Sequence, residues 1–317
     1  MKKKSIPILI TAYNRYVNFK KLFTQLHNKN YNIYISIDGP KNSFDKSQQI
    51  KIINLLNKNK IHKYRILDKN HGCQKAVFLA LDWFFFHEKK GIILEDDILP
   101  GEDFFKFCEI LLKKFANEKK IFSISGYNPL NKLNNGDYFL SKYFMCWGWA
   151  TWRDRWKIAK RFVNNNQWTK LINSKPWQES CHTKIEKDFF TKIFKKIKLN
   201  QIDSWAFLWL LIGVSNSSRF ILPKYNLINN TGINIVGANN VPSKLNIKVL
   251  RIHRIKSITH QKTIPFNQEI DKKIFFSTYN PKNILYPWRL VFILKSLIFD
   301  TKFFFKKLYF FFKKKYN

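Results

Sequence analysis

Two hydrophobic periodicities alternate along the first part of the chain. Short apolar, β-rich runs at 5–13 (SIPILITAY), 31–38 (YNIYISID), 62–67 (HKYRIL), 91–96 (GIILED) and 120–126 (KIFSISG) read as strands. Between them, 15–28, 43–58, 72–88 and 101–117 carry helical spacing; in the last, Phe104, Phe105, Cys108, Leu111, Leu112 and Phe115 mark one face. Such alternation predicts an α/β fold: a doubly wound, mostly parallel sheet with helices on both faces. Ligands of such sheets bind beyond the carboxyl ends of the strands, which directs attention to the acids ending 91–96.

Beyond residue 126 the pattern changes. FLSKYFMCWGWATWRDRW (139–156) is dense in Trp, helical patterns return around 183–197 and 203–214, and SRFILPKYNLI (218–228) is again strand-like. NNTGINIVGANNVPSK (229–244) reads as a polar, Gly-containing loop. On a helical wheel the C-terminal segment gathers Lys302, Lys306 and Lys313, flanked by Lys307 and Lys314, against Phe304, Phe305, Leu308, Phe311 and Phe312. That is the pattern of a basic amphipathic helix lying in a membrane interface, the alternative being a core helix with a solvated lysine face. The apolar stretch 284–299 adds a second candidate surface.

Composition narrows the partners. With 57 Lys and Arg against 21 Asp and Glu, the net charge of +36 favours phosphates, nucleic acid or an acidic membrane surface, although part of the Lys excess fits a codon bias towards A and T. Nucleic acid is set aside, because its aromatic contacts should be exposed among basic residues and most here lie in strand or helix-face patterns. Four scattered Cys form no C-x-x-C pair, so neither zinc nor a disulfide framework is expected and a reduced, cytosolic compartment is the default. The opening MKKKSIPILITAYNRY reads as a first strand rather than a secretory signal, since its apolar part is short and no small-residue cleavage site follows. No uninterrupted apolar run reaches the roughly 18 residues of a spanning helix.

GIILEDDILPGEDFF (91–105) sets Glu95, Asp96 and Asp97 side by side where a buried strand ends. Asp97 can open a turn into Pro100 and Gly101, two of the acids can act as acid and base, or the oxygens can bind a hard cation, Mg2+ or Mn2+, together with substrate phosphates. The residues around the cluster carry a resemblance. IPILITAYNR, IYISIDG, NHGCQKA, GIILEDDILPGEDFF, WGWATWRDRW and DSWAFLW...ILPKYNLINNTG occur in the order found in a bacterial group of family-2-like glycosyltransferases, a layout similar to the animal N-acetylglucosaminyltransferase I family. The match covers roughly residues 5 to 240. It implies the GT-A nucleotide-diphospho-sugar transferase fold and inverting sugar transfer from a nucleotide sugar, usually with Mn2+.

Carried over position by position, the resemblance makes Asp97 the metal ligand and sets Asp96 and Glu95 towards the donor's ribose and sugar. Arg15 and Asp38 fall where the family holds the nucleotide base, and His71 lies near a region that also contacts it. Asp203 stands where the family has its catalytic base; from the residues alone it is equally a cap for the helix that follows. The animal family has two adjacent acids there, whereas here Ser204 follows Asp203. Trp149, after Gly148, is expected near the sugars. Bacterial relatives often continue towards a Gly-Thr-His after the position of Gly232; this chain has Asn239 about where that His would be, so its contact to phosphates or metal is not expected.

A sugar nucleotidyltransferase shares the fold class, but it needs a glycine-rich loop after the first strand, and TAYNRY has no glycine. The sequence therefore predicts a GT-A domain at 1–245 and a basic, aromatic extension at 246–317 that docks on the cytoplasmic face of a membrane. The expected partners are a nucleotide-sugar donor, with a UDP-sugar first, a cell-surface glycan or glycolipid acceptor, and an anionic membrane surface. The alternative is a catalytically inactive membrane-surface or anionic-polymer-binding protein on the same fold.

Overall fold

The computed structural model describes residues 5–29, 31–133, 136–164, 167–232, 250–255, 257–279 and 281. Its centre is an eight-stranded mixed sheet. Strands β1 (Ile8–Ala12), β2 (Ile33–Ile37), β3 (Tyr64–Ile66) and β4 (Lys90–Glu95) form a parallel half in the order β3-β2-β1-β4. A short β5 (Ile98–Pro100) leaves this sheet, and β6 (Ile121–Ser125), β7 (Tyr138–Ser141), β8 (Trp149–Trp152) and β9 (Arg219–Pro223) complete it in the order β4-β8-β6-β9-β7. β8 runs antiparallel to β4 and β6 on its two sides. The last strand, β10 (Ile228–Asn230), pairs antiparallel with β5 in a separate two-stranded sheet.

The inner strands are apolar at nearly every position because helices cover both faces. Ile8, Ile10, Ile92 and Leu94 face one core with α1 (Tyr16–His27), α2 (Ser43–Lys58) and part of the later helix α4; Leu9 and Ile93 face the other with α3 (Cys73–His87). α1 buries Phe19, Leu22, Phe23 and Leu26, one stripe at helical spacing. α2 starts at Asn42, whose side chain accepts the Asp45 N–H at 2.9 Å. α4 (Glu102–Lys114) carries Glu102 and Asp103 in its first turn and Lys113 and Lys114 in its last, matching the helix dipole. The second core also takes in α5 (Arg153–Asn164), α6 (Trp168–Ile172), α7 (Lys175–Ser180), α8 (Lys184–Lys198), α9 (Trp205–Ser215) and α10 (Gln268–Tyr279).

The Trp-rich run becomes β8 and the start of α5, and its WRDRW is structural. Arg155, fully buried, donates to the carbonyls of Phe115, Ala116, Glu118 and Ile121 at 3.0, 2.9, 2.8 and 3.2 Å. It thereby satisfies the open end of α4 and fixes the entry to β6. Its guanidinium stacks 4.1 Å from the Trp152 ring, whose Nε1 donates to Leu112 O.

Two local differences from the sequence expectation have simple causes. Residues 218–228 do not form one strand: β9 ends at Pro223 and the chain turns through Tyr225 and Asn226 into β10. Asp96 and Asp97 form a turn, one of the openings the sequence allowed, but the residues after it, Ile98–Pro100, become β5 because β10 arrives to pair with them, a partner 128 positions away at Ile228↔Pro100. Within 250–255 and 257–279, assigned from sequence to an extension, the chain packs back against the sheet and its core. Leu140 N donates to Pro265 O at 2.9 Å, and Ile274 and Phe275 of α10 are buried in the core. The amphipathic segment 302–314, the apolar stretch 284–299 and Asn239 lie outside the described residues. Among the described residues no helix is long and apolar enough to cross a membrane.

Candidate active site

The carboxyl ends of β1, β2 and β4 converge, and the expected acids stand there. Asp38 follows β2 and is 7% exposed. Its oxygens accept from His71 N (2.9 Å), Gly72 N (3.1 Å), Gly39 N (3.0 Å) and Asn70 Nδ2 (3.0 Å). Burial raises its pKa, opposed by the backbone donors of His71, Gly39 and Gly72. Asp38 thus holds the 70–72 turn against β2. Gly39 allows the turn to come close, since a Cβ there would lie 2.2 Å from the Lys69 carbonyl carbon. His71 joins this contact through its backbone, while its ring Nε2 lies 3.3 Å from Asp68 Oδ1.

The same turn is held from the other side. Cys73 N and Gln74 N donate to Asp203 Oδ2 and Oδ1 at 2.7 and 2.8 Å, so four successive amides, 71 to 74, rest on two carboxylates. Asp203 caps α3, a helix 130 positions earlier in sequence, whereas Ser204 occupies the cap position of α9 and makes no side-chain capping bond. Its carboxylate remains exposed. Gly72, at φ +80°, provides the left-handed turn, and a Cβ on it would meet Asp203 Oδ2 at 2.6 Å.

Glu95, Asp96 and Asp97 end β4 as the sequence suggests. Asp96 and Asp97 are 5% and 7% exposed. The pKa of all three is raised, Glu95 to about 8 and Asp96 to about 7, first by burial and, for these two, next by the neighbouring carboxylates. Arg15 opposes the rise: its Nη1 donates to Asp97 Oδ2 and lies 3.6 Å from Asp96 Oδ1. Tyr13 N also donates to Asp96 Oδ2 at 3.1 Å. Here the structure departs from the expectation that Arg15 reaches towards a base pocket beside Asp38. Tyr13 OH and Asn14 Nδ2 face Asp45 on the β2 side, and the next residue turns to the β4 side, where the acids are.

The β5–β10 pairing delivers further groups that the sequence reading did not single out. Thr231 N and Oγ1 donate to Asp97 O at 2.8 and 3.0 Å, and Asn18 Nδ2 donates to Thr231 Oγ1 at 2.7 Å. A Cβ on Gly232 would lie 2.1 Å from Asp97 Oδ2, so only glycine fits over that carboxylate. The signal for this contact was NNTG at the end of a strand-like run, but its target was not legible. Half-buried Cys73 lies among these groups. Its thiol pKa is raised first by burial, then by Glu95 and Asp203, with Arg15 opposing and Asp38 adding to the rise.

Trp149 is 1% exposed and its ring lies in the aromatic core, 5.3 Å from and stacked on Trp205, with Phe144 and Trp209 around it. That places it behind the site, against the first residue of α9, rather than in an open sugar pocket. The strand period explains this: β8 is buried on both faces between β4 and β6, so every residue of it points into a core.

The donor chemistry suits a hard divalent cation. Three carboxylates face one guanidinium, all are oxygen donors, and their mutual repulsion would fall if such a cation were held. Among the described residues no three His, Cys, Asp or Glu side chains form a ready cage.

No family model matches the chain, and no curated protein matches it. Solved structures overlap it in part. TarS of S. aureus (residues 1–349) aligns at 10% identity and a TM-score of 0.43, over 73% of this chain and 61% of that one. The mannosyltransferase PcManGT from Pyrobaculum calidifontis, solved in complex with GDP-Man and Mn2+, aligns at 10% identity and a TM-score of 0.39, over 68% and 70%. The glycosyltransferase GlyE of Streptococcus pneumoniae aligns at 12% identity and a TM-score of 0.28, over 61% and 44%. This chain therefore spans less than two thirds of the length of TarS 1–349 and of GlyE.

Proposed function

We propose that the chain is an inverting, GT-A-type glycosyltransferase. It moves a sugar from a nucleotide diphosphate, a UDP-sugar in first place, to a cell-surface glycan or lipid-linked oligosaccharide. The observation that carries this reading is the meeting of Glu95, Asp96 and Asp97 with Arg15 on one side and the Thr231–Gly232 backbone on the other, beyond the carboxyl ends of parallel strands. The resemblance of the motifs in that region to family-2-like transferases supports it.

In this reading Asp38 and the turn it holds form the base pocket, Glu95 and Asp96 face ribose and sugar, and Asp97 holds Mn2+ or Mg2+. A bound divalent cation would supply Lewis-acid stabilisation of the leaving diphosphate. The acceptor hydroxyl attacks the anomeric carbon opposite that diphosphate, and Asp203 takes the hydroxyl proton. The two α3 amides fix the direction of the Asp203 carboxylate, which is solvent-exposed. Trp149 supports Asp203 indirectly, through its stack on Trp205. Residues 302–314 of the extension hold the enzyme on the anionic inner face of the membrane, close to a lipid-linked acceptor.

The test is a panel of UDP-, GDP- and CDP-sugars, with and without Mn2+, on the wild type and Asp97→Ala. Cation-dependent binding or slow hydrolysis of one donor, abolished by the substitution, is expected. If no nucleotide sugar binds under any cation condition, the acids at 95–97 are a structural turn and the proposal is lost.

A further inference from the structure

Arg15 sits at the unfavourable end of a helix dipole and is held there by the carboxylates of Asp96 and Asp97. It is the residue immediately before α1, at the positive end of the helix dipole, and the first turn of α1 contains no acid. Its backbone (φ −98°, ψ 66°) is outside the helix and its side chain makes no capping bond. What retains the guanidinium is the pair Asp96 and Asp97, and that pairing also compensates two buried carboxylates. The Arg15 side chain is 25% exposed, against 7% and 10% for the acids, so it stands between them and solvent.

Resting on the donor-site reading given under Proposed function, we propose that Arg15 is a resident counter-ion which occupies the cation site of the unliganded protein and must leave Asp96 and Asp97 when a divalent cation enters. Two effects make the exchange reversible. Once a dication neutralises the acids, Arg15 is repelled both by it and by the helix end. An incoming diphosphate, in turn, offers the freed guanidinium a bidentate partner. A cation alone therefore competes against Arg15 and binds weakly, whereas cation and diphosphate bind as a mutually dependent pair. Arg15 makes donor binding a condition for holding the metal.

The experiment titrates Mn2+ alone, without nucleotide, into the full-length wild type and into Arg15→Gln, followed by electron paramagnetic resonance of free Mn2+. Asp97→Asn serves as the site control, and thermal unfolding is measured in parallel. The expected result is Mn2+ binding about tenfold tighter in Arg15→Gln, the scale of coupling between ligands that share a site, with a larger Mn2+-induced rise in melting temperature than in the wild type. Equal affinity in the two proteins, lost in Asp97→Asn, overturns the counter-ion role and leaves the cation site standing. No Mn2+ binding in either overturns the counter-ion role, while the cation site stands or falls on the nucleotide-sugar panel with Mn2+. If Arg15→Gln does not fold, Arg15→Lys replaces it. One ammonium cannot span two carboxylates as a guanidinium does, so tighter Mn2+ binding than in the wild type supports the role and equal or weaker binding refutes it.

Discussion

At the scale of single residues, the acids ending β4 were legible because a run of carboxylates after an apolar strand stands out in any basic chain. Their partners were not. That Asp38 would collect four donors depends on a turn arriving from residues 70–72, and that Asp203 would cap α3 depends on a helix 130 positions away. Asp38→Ala is expected to lower unfolding free energy by on the order of 2–4 kcal/mol, because each buried donor left without a partner costs about 1–3 kcal/mol. Urea unfolding measures this, and unchanged stability would show that water satisfies the turn. Asp203→Asn keeps an acceptor for an α3 amide but cannot take a proton. It should lower turnover by roughly 10²-fold or more while donor affinity stays as it was. A parallel fall in affinity and turnover would instead mark Asp203 as a structural cap.

Elements were more legible than contacts. The first four strands and helices lie within a few residues of their hydrophobic patterns, because each shows one period throughout. β8 was hidden: buried on both sides, it lacks alternation, and only its first residue, Trp149, was expected near the sugars. The Arg155 contact joins α4, β6 and α5, so Arg155→Met should cost about 3–5 kcal/mol, as removing a buried charge's partners does. Arg155→Lys should not restore stability, since one ammonium cannot reach four carbonyls.

The docking of α10 carries a pH signature. Asp271 is 1% exposed and accepts from Ser141 Oγ and Lys142 N, yet burial pushes its pKa up to about 6. Between its ordinary value near 4 and about 6, the folded chain keeps a proton that the unfolded chain has lost. Stability contributed there is fully present below pH ~4, falls as pH rises to about 6 and then levels off, by about 3 kcal/mol in all. Glu95 and Asp96, raised to about 8 and about 7, prolong the fall. Asp271→Asn should remove only the Asp271 share of the fall between pH ~4 and ~6, leaving the shares of Glu95 and Asp96, which begin in the same window; denaturant midpoints across pH check this, and an unchanged profile would place the proton elsewhere.

For the whole molecule, a net charge of +36 spread over 317 residues makes association with anionic surfaces a matter of ionic strength. The full chain is expected to sediment with vesicles containing anionic lipid at low salt and to be released as the Debye length falls below about 8 Å. Truncation after residue 281 keeps every described element, including α10, and should abolish most of that binding. Undiminished sedimentation of the shortened chain would locate the contact on the folded body instead. Composition announced this affinity but not its address, because basic residues are distributed over nearly the whole sequence.

The position of β8 also bears on how the protein is made. β4 is synthesised with its outer edge open, and the strand that closes it emerges only at Trp149–Trp152. At ribosomal rates of about 5–20 residues per second that edge waits on the order of several seconds, an apolar ribbon with free backbone donors and acceptors on a nascent chain. The remainder of the sheet waits longer still, for β9 from residue 219. A cell producing this protein quickly should therefore need holdase chaperones, and slower translation between 96 and 149 should worsen its yield.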